Sequence, residues 1–211
     1  MTTLVTISSS YGAGGSRVGP ALAQRLEVPF LDRAIPAAVA ERLAVPFDDA
    51  QAHDDQLSDS WLERMLRGFI GQNLTPQAPV QGESGEEFRS ATEAVLLATA
   101  ESGRGVILGR AAAIVLRDDP RVLRVRLDGP PERRVRQAIE LEGLDEATVR
   151  DRLSRQDRAH ATYTRHFYGV DIHDPGLYHL MLDSTAIPLH VCVELLASGA
   201  RSFTLGAPPV T

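Results

Sequence analysis

Gly12, Gly14 and Gly15, with Ala13 between them and Ser16 behind them, follow the short apolar, β-branched run Thr3–Ser9 after Ser10 and Tyr11. The next stretch places Val18, Leu22 and Leu26 four residues apart, the spacing of an amphipathic helix. Strand, glycine turn and helix in that order aim successive backbone N–H groups and the positive end of the helix at one point, where an anion such as a phosphate is held. The plainer alternative is that the glycines only make a tight turn. Their position after an N-terminal strand favours the phosphate.

The spelling is not that of a standard phosphate loop. Aligned on Gly14 as the last glycine, GxxxxGK[ST] would need glycine where the chain has Ser9 and lysine where it has Gly15. Only Ser16, whose hydroxyl could ligate Mg²⁺, keeps the expected type. A dinucleotide-binding GxGxxG fits only if Arg17 stands for the final glycine, and no acid but Asp32 ends a second strand at the required distance. A Rossmann oxidoreductase is therefore a poor fit.

Two further groups fall where strands should end: Gly109-Arg110 after the apolar run 105–109, and Asp183-Ser184-Thr185 after the run 178–182. In an open parallel sheet the ligand crevice lies beyond the carboxyl ends of the strands, so the agreement in position outweighs any one motif. All 22 basic residues are arginine. Chemistry that needs a lysine ammonium is closed to this chain, whereas planar, bidentate contacts to phosphate are open to it. Arg110, behind a buried strand at the ligand edge, is the best-placed arginine. Arg17 lies nearest to the missing ammonium but on a first helical turn. Arg155 and Arg158 belong to a long polar helix and Arg165 follows its end; each is first a surface charge and second a candidate for phosphoryl contact.

Other chemistries find less support. The histidines at 53, 160, 166, 173, 179 and 190 are scattered, and His160 and His166 are six apart rather than at i, i+4. His173-Asp174 lacks partners at metal-ligand spacing. Ser8, Ser9 and Ser10 are not in a Gly-x-Ser-x-Gly context. The single cysteine, Cys192, lies in an apolar helix and reads as core, and it excludes a disulfide framework or Cys-rich zinc site.

Several elements must position these groups. Strands are expected over 3–9, 28–31, 105–109, 122–127 and 178–182. Helices are expected over the stretch after Ser16, from Asp32-Arg33 to about Leu43, and over 58–70, 86–101, 130 onward, 145–164 and 188–197. Residues 71–85, rich in Gln, Pro, Gly and Ser, read as an exposed connection. Trp61, Met65, Leu66 and Phe69 read as a core or dimer face, and 206–211 as a loose tail. Strands alternating with helices indicate a mostly parallel sheet covered on both faces.

Length and composition set the frame. The 211 residues, 43% hydrophobic and 24% charged, suit one α/β domain. The net charge of −6 argues against a nucleic-acid partner. No apolar run spans a bilayer and the first ten residues do not resemble a signal peptide, so the expectation is a soluble, cytoplasmic protein without membrane partners.

The ordered series TISSSYGAGGSRVG, PFLDRAI, GVILGRAA, PPERRVRQ, DRAHATYTRHFYG and LDSTAIPL resembles the cytidylate kinase-like family of the P-loop nucleoside monophosphate kinase group. That resemblance implies a three-layer α/β/α fold with a five-stranded parallel sheet, in one domain over 1–211. It also implies a helical acceptor-side insertion at about 33–102 and a lid at about 145–176. The implied activity is transfer of the ATP γ-phosphate to CMP, dCMP or a related acceptor, with ATP and Mg²⁺ bound and a homodimer as one option. Gly12, Ala13, Gly14, Gly15 and Ser16 would hold the outer phosphates, with Ser16 on the metal. Asp32 and Arg33 would open the monophosphate segment, and Arg110 would meet the acceptor phosphate. Arg155, Asp157 and Arg158 lie in the lid region, and Asp183 near the acceptor nucleotide. Where the family pattern has arginine near position 160, this chain has His160. A regulatory nucleotide binder that lost the lysine, and a kinase of a non-nucleotide small molecule, are the alternatives.

Overall fold

The computed structural model describes residues 3–32, 85–109 and 111–203. The helix expected from Asp32-Arg33 to about Leu43, apart from Asp32, the helix expected at 58–70, the connection at 71–85 apart from its last residue, the tail at 206–211, and Arg33, Trp61, Met65, Leu66, Phe69 and Arg110 lie outside the described residues. The chain divides into two compact units, Met1–Ala44 with Thr92–Thr211, and Val45–Ala91. Of the second, only residues 85–91 are described; they form the first turns of a helix.

The first unit is built on strands β1 (Thr3–Ser9), β2 (Phe30–Asp32), β3 (Arg104–Leu108), β4 (Val122–Asp128) and β5 (Leu180–Asp183). They form one sheet in the order β2-β3-β1-β4-β5, with every pair parallel. β1 is central: Val5 lies opposite Val106 of β3 and Leu123 of β4. The helices are α1 (Gly15–Leu26), α2 (Gly85–Ser102), α3 (Ala112–Val115), α4 (Pro131–Glu142), α5 (Glu146–Tyr168) and α6 (Leu189–Ser202).

Side chains alternate across a strand, so β1 feeds two cores. Val5 and Ile7 pack with Val18 and Leu22 of α1 and with Cys192, Leu196 and Ala200 of α6. Leu4 faces the other way, onto Leu96 and Ala100 of α2 and Ala112 of α3. A third cluster joins Ala113 and Ile114 of α3 to Ala159 and Tyr163 of α5 and to Tyr178. Strands buried on both faces read as near-continuous apolar runs, which is why 105–109 and 122–127 are legible in the sequence.

Boundaries moved where caps decide them. α5 runs to Tyr168, a turn beyond the expected end, because Gly169 (φ 65°) takes the left-handed cap. Its start is fixed by Asp145, whose carboxylate accepts from the Thr148 N–H (3.0 Å) and hydroxyl (2.6 Å). β2 and β5 begin two residues later than expected. The four-residue α3 was not anticipated, being too short to show a helical period. Among the described residues no helix is long and apolar enough to cross a membrane.

Candidate functional site

β1 ends at Ser9 in the middle of the sheet, and the chain turns through Ser10–Gly14 into α1. Two left-handed glycines make the turn, Gly12 at φ 77° and Gly14 at φ 76°. Neither tolerates a side chain. A Cβ on Gly12 would stand 2.4 Å from the Arg134 carbonyl oxygen, and one on Gly14 would stand 2.7 Å from a Leu189 methyl.

What braces the turn matters more than its shape. The Tyr11 carbonyl accepts from the Arg134 guanidinium (2.9 Å), the Gly12 carbonyl from the Gln137 amide (3.0 Å) and the Ala13 carbonyl from the Ser184 hydroxyl (2.7 Å). The Tyr11 N–H donates to Asp157 (3.3 Å), and the Ala13 N–H closes the turn on the Ser10 carbonyl (3.0 Å). Among the described residues, the N–H groups of Gly12, Gly14, Gly15 and Ser16 have no acceptor. With carbonyls tied to outside donors and amides left over, the loop is a concave nest of positive dipoles at a helix N-terminus, fitted to an anion. Ala13 does not contribute its amide, contrary to the expectation that the row runs through it.

The braces come from three elements. Arg134 and Gln137, three apart on α4, present one helix face to the loop. Arg134 is 6% exposed and also donates to the Gly129 carbonyl (2.9 Å) and to Asp157 on α5 (2.8 Å). Ser184 follows the end of β5.

Beneath the loop, Arg126 of β4 is 2% exposed. Its guanidinium donates to Asp128 (2.8 Å), the Ser10 hydroxyl (2.9 Å), the Ser8 hydroxyl (3.3 Å) and Nδ1 of His173 (3.2 Å). Arginine has no acceptor to offer, so His173 Nδ1 is the lone-pair nitrogen here. Burial pushes the Asp128 carboxyl up, but the Gly129 N–H, the Arg126 charge and the Ser10 hydroxyl outweigh it and hold that carboxyl below its ordinary range. His160 on α5 is lowered to about 4, first by burial and then by the Arg126 charge.

The other expected residues divide. Ser16 and Arg17 lie exposed on the first turn of α1, and Arg17 makes no hydrogen bond or ion pair among the described residues. Asp32 is the last residue of β2, at the same sheet edge. Asp157 reaches the loop, with its oxygens on the Tyr11 N–H and Arg134. Asp183 is held by Arg133 (2.7 Å) and by the Thr185 hydroxyl (2.6 Å), and the Thr185 hydroxyl is the main cause of its lowered pKa. Arg155 pairs with Asp151 on the exposed side of α5, and Arg165 lies 3.8 Å from Asp171. Arg158 is exposed without a partner among the described residues. The glycine turn, the end of β2 and the end of β5 thus share the carboxyl edge of the sheet. Arg155 and Arg165 are instead turned to surface acids.

Arg134, Gln137 and Arg126 are not singled out by the sequence, whereas Ser184 falls in the expected strand-end group Asp183-Ser184-Thr185. Arg134 and Gln137 were visible only as part of PPERRVRQ, where the i, i+3 spacing is a signal of a shared face. Arg126 had a signal too, a charge inside an otherwise apolar strand.

The model of the cytidylate kinase-like family matches residues 4–186. No curated protein is significantly similar in sequence. Among solved structures, an uncharacterised protein from Eubacterium ventriosum is similar at a TM-score of 0.66 and 20% identity, over 96% of this chain and 99% of that one. A gluconokinase from Sinorhizobium meliloti is similar at a TM-score of 0.51 and 15% identity, over 95% of this chain and 92% of that one. At these identities the likeness concerns the fold.

Proposed function

Because the chain belongs to the cytidylate kinase-like family, with the three-layer P-loop kinase fold, we propose that it moves the γ-phosphoryl group of ATP to CMP, dCMP or a related nucleoside monophosphate. The observation that carries this reading is the nest of open amides at Gly12, Gly14, Gly15 and Ser16, with its carbonyls tied away by Arg134, Gln137 and Ser184.

The residues present fit the groups such a reaction needs. The free amides would take the outer phosphate oxygens, and the exposed Ser16 hydroxyl at the first helical turn would be the protein ligand to Mg²⁺. When bound, that ion supplies neutralisation of charge between the outer phosphates. Phosphoryl transfer asks the protein for alignment and charge compensation, not for a covalent residue. An oxygen of the acceptor phosphate attacks the γ-phosphorus in line. The bond to the bridging oxygen breaks, and ADP leaves with that electron pair. Arg110 and Asp32-Arg33 are proposed for the acceptor side, and Arg17 and Arg158, which lack partners among the described residues, for the charge that develops on the equatorial oxygens. Asp157 and Asp183 act in this scheme as braces of the site, since each is already committed to an arginine. The chain is proposed to be one kinase domain, with residues 33–102 as its acceptor-side insertion and 145–176 as its lid.

A coupled assay with purified protein, ATP, Mg²⁺ and a panel of CMP, dCMP, UMP, AMP and small polyol acceptors tests it. Turnover with a pyrimidine monophosphate is expected. The absence of lysine favours one second reading, a regulatory nucleotide binder. ATP binding by calorimetry with no transfer to any acceptor would establish that reading instead.

A further inference from the structure

Ser9 and Gly15 stand where the common phosphate-loop spelling has its first glycine and its lysine, so both positions have changed type. The structure gives the exchange a steric reason. Gly15 is the first residue of α1 and is not among the left-handed glycines, so its backbone does not demand glycine. Its surroundings do. A Cβ at Gly15 would stand 2.6 Å from both Cβ and Oγ of Ser9, and 3.1 Å from a methyl of Leu108. The Leu108 methyl is the end of a flexible side chain. The Ser9 Cβ is not, because the main chain that carries it is paired with β4 at this level and held on the β3 side as far as Ile7. Ser9 lies opposite Leu127 of β4, the next N–H, of Ser10, donates to the Leu127 carbonyl (3.2 Å), and the Gly109 N–H donates to the Ile7 carbonyl (2.9 Å). Ser9 cannot retreat without disturbing the end of the β1–β4 pairing.

We propose that Ser9 is a positioning residue that occupies the volume a side chain at residue 15 would need, so that this loop shuts out a lysine by construction and takes its cation from the arginines. The steric half stands on geometry alone. The cation half rests on the nucleotide reading above. Under this proposal the loop is a self-consistent alternative to the lysine-bearing one, and no single substitution converts one into the other. Gly15→Lys alone drives its Cβ into Ser9, and Ser9→Gly alone leaves the position empty. Only the two together make room for an ammonium.

A ligand-free thermal melt of four proteins tests the steric half: wild type, Ser9→Gly, Gly15→Ala and the double variant. Gly15→Ala adds nothing but the Cβ. In the wild-type background it is expected to lower the melting midpoint by roughly 4–8 °C, the scale of an overpacked core in a chain of this size. In the Ser9→Gly background the same substitution is expected to be neutral or to raise the midpoint, because alanine is favoured over glycine in a helix once the clash is gone. A Gly15→Ala protein that melts with wild type, or effects of the two substitutions that simply add, overturns the proposal.

Calorimetry with Mg-ATP tests the cation half. Ser9→Gly/Gly15→Lys is expected to bind about tenfold tighter than Ser9→Gly, the scale of one added charge-assisted contact, while Gly15→Lys alone gains nothing. Tighter binding by Gly15→Lys alone overturns the proposal. Steric coupling in the melts together with no ATP binding by any variant upholds the exchange and sinks the nucleotide reading, so the two failures are separate results.

Discussion

Arg134 carries three duties with one guanidinium: it caps the Tyr11 carbonyl, caps the Gly129 carbonyl and pairs with Asp157. Arg134→Met keeps most of the buried stem but strands Asp157 and two carbonyls. Removing one partner from a fully buried pair costs about 3–5 kcal/mol, and the partial exposure of Asp157 reduces that to about 2 kcal/mol here. A urea titration should show that loss, and Mg-ATP affinity should fall with it because the loop loses its brace. Gly12→Ala strikes the same loop from inside, with a left-handed backbone and a Cβ 2.4 Å from a main-chain oxygen. A stability loss above about 2 kcal/mol is expected in the same titration. His160 offers a pH test. Its folded pKa, about 4, lies below the ordinary 6.5, so between these values the unfolded chain binds a proton that the folded chain refuses. Stability should therefore rise with pH through that window and be lost as pH falls toward 4. Asp128 and Asp183 are lowered carboxylates, whose contributions are lost only at lower pH as they protonate. Urea midpoints at pH 5 and pH 7 should differ less in His160→Gln than in wild type, and an unchanged difference would assign the slope elsewhere.

At the scale of elements, α4 and α5 matter to the loop as much as α1 does. α1 supplies the positive helix end, α4 supplies Arg134 and Gln137, and α5 supplies Asp157. α5 is long and polar, and its start depends on Asp145. Asp145→Ala should cost about 1 kcal/mol, the usual worth of an N-cap, and lower the melting midpoint by about 2–4 °C. Elements with strong local signals are legible in the sequence: β1 and β4 fall within a residue of expectation and α1 where its period indicates, since apolar periods and turn residues are local. The short α3 and the late starts of β2 and β5 were not, because three or four residues carry no measurable period and the pairing partner decides where a strand begins.

For the whole molecule, the parallel sheet brings together at one edge groups more than a hundred residues apart in sequence. Tyr11 meets Asp157 and Arg134, and Ala13 meets Ser184. A ligand gripped at this edge binds the folded chain and not the unfolded one. Mg-ATP at a hundred times its dissociation constant should therefore add about 2.7 kcal/mol and raise the melting midpoint by about 5–10 °C. No shift at any concentration would remove the nucleotide from this site.

The sequence by itself settled the alternation of strands and helices, the glycine turn after β1 and the lack of any ammonium, because periodicity, turn chemistry and residue type are local properties. It also carried the family, through the order of its motifs. Only the tertiary structure decided which groups serve the loop. Asp157 reaches the loop because α5 lays it against Arg134 and the Tyr11 N–H. Arg134, Gln137 and Ser184 acquired their roles because folding aims them at carbonyls that would otherwise face an anion. Ser9 and Gly15 exclude each other's side chains for the same reason: residues six apart in the chain share one volume only after strand and helix have packed.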